Sequence, residues 1–183
     1  GKVSYAVLSF GGFLGIGGSH TLEKFINEVG RDVPDPQTKI SVWERARARQ
    51  IVNGSPAQRS EANARPDMRI EALGSGSDYT PFLQHLGIAS LNIGFGGEGG
   101  GGSYHSIYDS YDHYSRFGDP GFAYGVALSK VGGHAVLRLA NADSLPFDFI
   151  NFADTVGQYV NEVTRLTDSM REETRMTNPW ITT

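Results

Sequence analysis

The chain has 183 residues and no cysteine, and 39% of its residues are hydrophobic, which argues against a disordered chain and excludes disulfides and cysteine-based zinc sites. The formal net charge is −4, which argues against nucleic acid as the main partner, because phosphate binding needs a concentrated basic face. No segment approaches the roughly 20 apolar residues of a membrane helix, so we expect no membrane segment in this chain.

The first half of the chain predicts one strand and two helices. Residues 3–10 form a short β-prone run, which we interpret as a buried strand, and residues 11–18 follow as a glycine-rich loop. A helix is expected over residues 19–30, with a serine to cap it and a glycine to close it. A second helix is expected over residues 41–53, and the polar, proline-containing residues 54–68 predict a surface connection.

Three arginines alternate with alanine in the second predicted helix: Arg45, Arg47 and Arg49. This spacing spreads side chains around the outer side of a helix instead of lining a groove. We therefore interpret the three arginines as solvated surface residues.

The second half of the chain predicts three helices and one strand. A helix is expected over about residues 77–86, and a buried strand over residues 88–95. The helix predicted at residues 119–141 is apolar nearly all round, so we expect it to be buried on most sides. The last helix, 149–176, carries an apolar stripe that needs a partner surface, in this chain or another; the stripe is Phe152, Val156, Tyr159, Val163, Leu166 and Met170.

Few strands and long helices indicate an α/β fold with an unusually small share of sheet. Sheets in such folds usually have roughly four to six strands, whereas this pattern supplies two. Either the sheet is small, or its other strands belong to sequence outside this chain.

His105 is the strongest candidate for a functional histidine. It follows a predicted strand and a long glycine loop, where an α/β sheet usually carries its site, and the hydroxyl of Tyr104 beside it could donate to a developing oxyanion. One histidine supplies one of the three or four ligands that zinc needs. Spacing leaves two roles open for Asp109 and Asp112, a second ligand or a cap of the turn around Ser110. Three other histidines are interpreted as structural or surface residues: His20, His85 and His134.

Three segments of the chain stand in series: "GSGSDYTPFLQHLGIAS", "YHSIYDSYD" and "DPGFAYGVALSKVGGHAVLRLANADSLPFDF". Together they resemble the later half of the catalytic domain of the glutamate carboxypeptidase II family, di-zinc exopeptidases also called N-acetylated-α-linked acidic dipeptidases. The resemblance covers roughly residues 10–175 in order. It implies part of a three-layer α/β zinc-exopeptidase domain over residues 1–146. Residues 147–183 would lead into a helical region that forms a homodimer.

The resemblance also implies roles for single residues. His105 matches the last zinc ligand of the family, and Tyr104 matches the tyrosine that hydrogen-bonds the scissile carbonyl oxygen and its tetrahedral successor. Gly76 and Ser77 fall on the loop that touches the substrate. The family uses two zinc ions, and its other ligands and its glutamate base lie upstream of the segment that this chain matches. Metal binding by this chain alone is therefore expected to be absent or incomplete.

Two substrate-binding positions depart from the family pattern. Glutamate-selective relatives carry an arginine pair after the "GIAS" segment, which grips the carboxylates of the substrate. This chain has Asn92 and Gly94 there. We therefore expect a more neutral or different peptide end in the preferred substrate.

Three hypotheses for function follow. The first is a fragment of a zinc-dependent exopeptidase that hydrolyses peptides, inactive as this chain alone; relatives are secreted, periplasmic or membrane-anchored. The second is a non-catalytic relative of the transferrin-receptor type, which binds protein partners, although the Tyr104-His105-Ser106 sequence speaks against it. The third is a helical interaction domain in which His105 is structural.

Overall fold

The computed structural model describes residues 12–97, 104–178 and 180 of the chain. The strand predicted over residues 3–10 lies outside them. The described part is mostly helical and contains one antiparallel pair of strands, which is compatible with part of an α/β domain. The strands are β1 (Gly12–Gly18) and β2 (Leu91–Gly97). The helices are α1 (Glu23–Asp32), α2 (Val42–Asn53), α3 (Pro56–Ala64), the short α4 (Tyr111–His113), α5 (Ala123–Ala140) and α6 (Phe149–Thr177).

The prediction that the glycine-rich segment 11–18 is a loop is wrong, because this segment contains β1. β1 pairs with β2 so that Gly15 faces Gly94 and Ile16 faces Ile93. Its glycines permit close approach: a Cβ on Gly18 would lie 2.5 Å from the Leu91 side chain. Glycine inside a strand therefore marks crowded neighbours here, not a flexible loop.

Two helical predictions also need correction. The surface connection predicted at residues 54–68 contains α3, whose start is a capping box between Ser55 and Gln58 with Pro56 at the first helical position. The helix predicted over about residues 77–86 is only a π-helical turn, Pro81–His85. In α3 the local capping chemistry marks the start of the helix, whereas the turn at Pro81–His85 has no side-chain cap.

α5 is buried along a single stripe, which corrects the expectation of burial on most sides. Its buried residues are small and lie four positions apart: Ala127, Val131 and Ala135. Val136 and Leu137 on other faces are more than half exposed in the described structure. The small side chains let α5 lie close to β2 and α1, since they occupy little space at the contact.

Arg45 is buried, so its prediction as a solvated residue is wrong. Its guanidinium forms an ion pair with both carboxylate oxygens of Asp35, at 2.9 Å, and donates a hydrogen bond to the Tyr124 hydroxyl of α5. Burial alone would raise the pKa of Asp35, but hydrogen bonds from Thr38 and Arg45 outweigh it and lower that pKa. The other two arginines lie over aromatic rings, Arg47 at 5.1 Å from the Trp43 centroid and Arg49 at 4.2 Å from that of Phe13.

The side chain of Asn27 joins α1 to α2 and to the segment before β2. It is buried, and its amide nitrogen donates to the carbonyl of Met68 at 2.9 Å. Its amide oxygen accepts from the Met68 N–H at 2.9 Å and from the Trp43 indole N–H. One polar side chain therefore satisfies three groups that would otherwise be buried without a partner.

Glu23, one turn earlier on α1, is a second buried polar anchor. Its carboxylate accepts hydrogen bonds from the Arg65 guanidinium and from the Ile70 N–H at 3.1 Å. The Nδ1 atom of buried His20 lies 3.8 Å from the same carboxylate. Burial lowers the pKa of His20 below its ordinary value of 6.5, because the imidazolium form loses water.

The chain divides into two compact units, Gly1–Asp148 and Phe149–Thr183. The second unit contains α6, which agrees closely with the helix predicted over residues 149–176. Most of the predicted apolar stripe is exposed within the described structure, for example Val163 and Leu166. The domain boundary at residues 146 and 147 stays a prediction. Within the described residues, no helix has the length and apolar content of a membrane-spanning segment.

The substitution Asn27→Ala should lower the free energy of unfolding by about 2–4 kcal/mol, because it leaves the Met68 and Trp43 N–H groups buried without acceptors. Urea unfolding followed by circular dichroism measures this change. Asn63→Ala is the matched control, since the exposed Asn63 amide bonds only a carbonyl of its own helix. The Asn63 variant should stay within about 0.5 kcal/mol of wild type. Equal losses in the two variants would contradict the anchoring role of Asn27.

His20 should make stability depend on pH. Its folded pKa is lowered, so its contribution is fully present above pH 6.5 and is lost as the pH falls below that value. The slope for one such proton is at most about 1.4 kcal/mol per pH unit. In His20→Gln this part of the slope should disappear, whereas the exposed His85→Gln should retain it. Identical pH profiles for wild type and His20→Gln would exclude this role.

Candidate functional site

The Tyr104 and His105 side chains stack on each other at the start of a described segment. Their ring centroids lie 3.8 Å apart, with the ring planes 22° from parallel, and both residues are exposed. His105 has a φ of +58°, a left-handed conformation that is uncommon for a residue other than glycine. Such backbone outliers tend to occur at functional sites, where the surrounding structure holds them in place.

Asp109 closes the turn after His105. Its carboxylate accepts a hydrogen bond from the His105 N–H at 3.3 Å, and its own N–H donates to the carbonyl of Ser106 at 3.1 Å. Asp112 instead forms an exposed ion pair with Arg116 at 3.0 Å. The contacts of both aspartates in the structure are therefore those of turn and surface residues.

Ser110 caps the short helix α4. Its hydroxyl oxygen accepts a hydrogen bond from the N–H of His113 at 3.3 Å. Ser110 itself therefore caps this helix, and the capping role considered for Asp109 and Asp112 is not the one they have there.

A single histidine does not make a zinc site. Across the described ranges, no group of three or more His, Asp or Glu side chains lies close enough together to hold a metal ion. Zinc needs three protein ligands even in an open catalytic site. The described residues therefore do not fit a complete zinc site, and His105 can supply one ligand at most.

The loop that contains Gly76 and Ser77 is a hydrogen-bonded turn. Gly76 has a φ of +83°, and the Ser77 N–H donates to the Thr80 hydroxyl at 3.2 Å. The side-chain amide of Gln84 donates to the carbonyl of Gly74 at 2.7 Å and ties the start of the loop to the π-helical turn. The loop therefore has a defined conformation that depends on glycine at position 76.

Asn92 and Gly94 lie on β2 and line an open cleft of about 440 Å³. Glu71 and Tyr79 line the same cleft, and sequence analysis did not identify either of them. Tyr79 stands in the quoted "GSGSDYT" segment, which could have pointed to it. No signal in the sequence singles out Glu71, because it reaches the cleft through a β-bridge with Gly17.

The structure brings together only part of the predicted site. Asn92 and Gly94 share the cleft, whereas the other four predicted residues are not among those that line it. Those four are Gly76, Ser77, Tyr104 and His105. Their roles stay predictions.

Gly76→Ala should destabilise the loop by about 1 kcal/mol, because its φ of +83° is strained for any residue with a Cβ. Hydrogen exchange at the Ser77 amide would report this as faster exchange. Gly74→Ala serves as the control, since a Cβ there meets nothing within 4 Å. Slow exchange that persists at Ser77 in the Gly76 variant would show that the loop does not need glycine.

Comparison with known proteins gives a consistent set of relatives. No family model matches the chain. Over 169 residues, which are 92% of the chain and 21% of the relative, it is 30% identical to a Zea mays protein named probable glutamate carboxypeptidase VP8. It is 44% identical over 95 residues to a probable glutamate carboxypeptidase of Arthroderma benhamiae, covering 50% of the chain and 13% of the relative.

A third relative is the probable glutamate carboxypeptidase LAMP1 of Arabidopsis thaliana, 41% identical over 80 residues, which are 44% of the chain and 12% of the relative. The chain thus spans about a fifth or less of the length of these relatives. The matches come from plants and a fungus and agree in name, which confirms the resemblance found in the sequence. The chain belongs to the family of glutamate carboxypeptidase-like proteins.

Proposed function

We propose that the chain is the C-terminal part of the catalytic domain of a zinc-dependent exopeptidase of the carboxypeptidase type. The observation that carries the proposal is similarity over 92% of the chain to a relative named probable glutamate carboxypeptidase. The two-stranded sheet and the exposed faces of α5 fit a domain whose remaining layers come from further sequence. We propose that this complete domain has three layers.

His105 is proposed as one ligand of a zinc site that other parts of the longer polypeptide complete. Its exposure leaves the imidazole accessible to such a site, and the stacked Tyr104 ring restricts its orientation. Bound zinc ions would supply Lewis-acid chemistry at the peptide bond. The chain alone should be inactive, because it contributes one of the required ligands.

Tyr104 is proposed to donate a hydrogen bond to the oxyanion that develops at the scissile carbonyl. Its side chain is 61% exposed, so its hydroxyl can reach a bound peptide. A donor that is fixed before the reaction stabilises the transition state more than the ground state, because negative charge grows on the oxygen. We further propose that the apolar stripe of α6 packs in a homodimer.

The test uses the longer polypeptide that contains this chain, with N-acetylated dipeptides as substrates. Tyr104→Phe should lower kcat about 10²-fold with little change in KM, because the lost hydrogen bond forms mainly in the transition state. Tyr108→Phe is the control, since Tyr108 is as exposed as Tyr104 and lies four positions away. Similar rates in the two variants would remove Tyr104 from the site.

His105→Ala should also lower the zinc content of the longer polypeptide, measured by elemental analysis after dialysis, whereas His85→Ala should not. This chain by itself should hold less than one equivalent of zinc. A stoichiometric ion in the isolated chain that His105→Ala abolishes would show that the ligands lie within it. An intact polypeptide that binds a protein partner but hydrolyses no peptide would favour the receptor-type alternative.

A further inference from the structure

We propose that the cleft lined by Glu71, Tyr79 and Asn92 binds a positively charged side chain of the substrate, the ammonium of lysine or the guanidinium of arginine, through the Glu71 carboxylate. The proposal rests on the peptidase function proposed above and names a substrate class for that function. It goes beyond the loss of selectivity for glutamate, because it assigns a charge and a residue that selects it.

Glu71 gives the cleft its charge. Among the described residues that line the cleft it is the one with an ionisable acidic or basic group apart from the Tyr79 phenol. The residue is exposed, and its carboxylate has no ion pair or hydrogen bond within the part of the chain that the structure describes. An unpaired carboxylate at the wall of a concave site attracts a cation and repels an anionic group.

The main chain at Glu71 is held firmly beside β1. Its N–H donates to the carbonyl of Ile16 at 2.9 Å, and its carbonyl accepts from the Gly18 N–H at 2.8 Å. Gly17, between these two partners, forms a parallel bridge with Glu71. The carboxylate therefore moves only by rotation about its own side-chain bonds. Less conformational entropy is then lost when a ligand binds.

Glycine at position 17 keeps the wall of the cleft open. A Cβ on Gly17 would lie 3.0 Å from the side chain of Leu73 and 4.0 Å from the Cβ of Glu71. Both neighbours also line the cleft. The absence of a side chain at Gly17 therefore leaves the Glu71 and Leu73 side chains room to settle against a ligand.

Nearby arginines do not neutralise Glu71. Arg49 and Arg69 line a neighbouring cavity of about 470 Å³, to which Glu71 also contributes. Arg69 forms an ion pair with Glu61 at 2.6 Å, and Arg49 lies over the Phe13 ring. Neither forms an ion pair with Glu71, so its negative charge is available to a ligand.

The uncharged polar residues of the cleft suit a cationic ligand. The amide oxygen of Asn92 and the hydroxyl oxygen of Tyr79 can accept hydrogen bonds, and lysine and arginine side chains are donors only. A glutamate side chain would find the Asn92 amide and the Tyr79 hydroxyl as donors, but would meet like charge at Glu71. The charge at Glu71 is therefore what separates the two substrate classes.

The first experiment is a titration of the ¹⁵N-labelled chain with N-acetyl-lysine methylamide and with N-acetyl-glutamate methylamide. Lysine should shift the amide signals of Asn92 and Gly94 and bind about five- to tenfold more tightly than glutamate, because an exposed ion pair is gained with lysine and a like-charge contact is avoided. Glu71→Gln should remove this difference and Glu71→Lys should reverse it. Glu28→Gln, which removes an exposed charge on α1 outside the cleft, should leave it unchanged.

Equal binding of the two ligands, no shift with either, or the same loss in Glu28→Gln would overturn the proposal. A second measurement separates it from the proposed function: kcat/KM of the longer polypeptide on paired dipeptides that differ only in lysine or glutamate. Hydrolysis of both dipeptides at equal rates would support the peptidase function and contradict the role of Glu71. Charge-selective binding to the chain, with no hydrolysis by the longer polypeptide, would support the cleft as a binding site and contradict the peptidase function.

Discussion

The buried polar face of α1 is the constraint on which the rest of the first unit depends. Glu23 and Asn27 hold the backbone of Met68 and Ile70 by hydrogen bonds, and Glu71 is the next residue along the chain. Because its backbone in turn bonds β1, the inward polar groups of one helix fix the edge of the sheet. A carboxylate and an amide without these partners would be costly to bury, so the arrangement holds as a unit.

Arg45 fixes α5 to α2 by polar contacts, as Asn27 fixes the segment before β2 to α1. Its side chain projects from α2, forms an ion pair with Asp35 in the preceding loop and donates a hydrogen bond to Tyr124 in the first turn of α5. The buried stripe of α5 adds only alanine and valine to this polar contact. Removing one partner of a buried ion pair is more damaging than its net contribution to stability suggests, because the other charge is left unpaired.

Sequence patterns predicted α2 and α6 well, since a capping serine or long apolar periodicity marks them locally. The patterns failed where the environment of a residue depends on contacts with segments distant in sequence. The spacing of Arg45 resembles that of a surface residue until Asp35 and Tyr124 are placed around it. Glycines of β1 look like a loop until the Leu91 side chain is seen against Gly18. Of the candidate site, Asn92 and Gly94 were found through family resemblance, but Glu71 was not, because a bridge between remote segments brings it to the cleft.

The sheet beneath the cleft is built from glycine facing glycine, as in the pair Gly15 and Gly94, with Gly17 beside Asn92. Much of what a ligand would contact there is therefore peptide backbone, whose polar groups do not depend on residue type. Chemical differences on this surface come from the few positions that carry side chains. A change in ligand preference during evolution would thus need substitutions at very few positions, while the backbone surface of the cleft would stay almost unaltered.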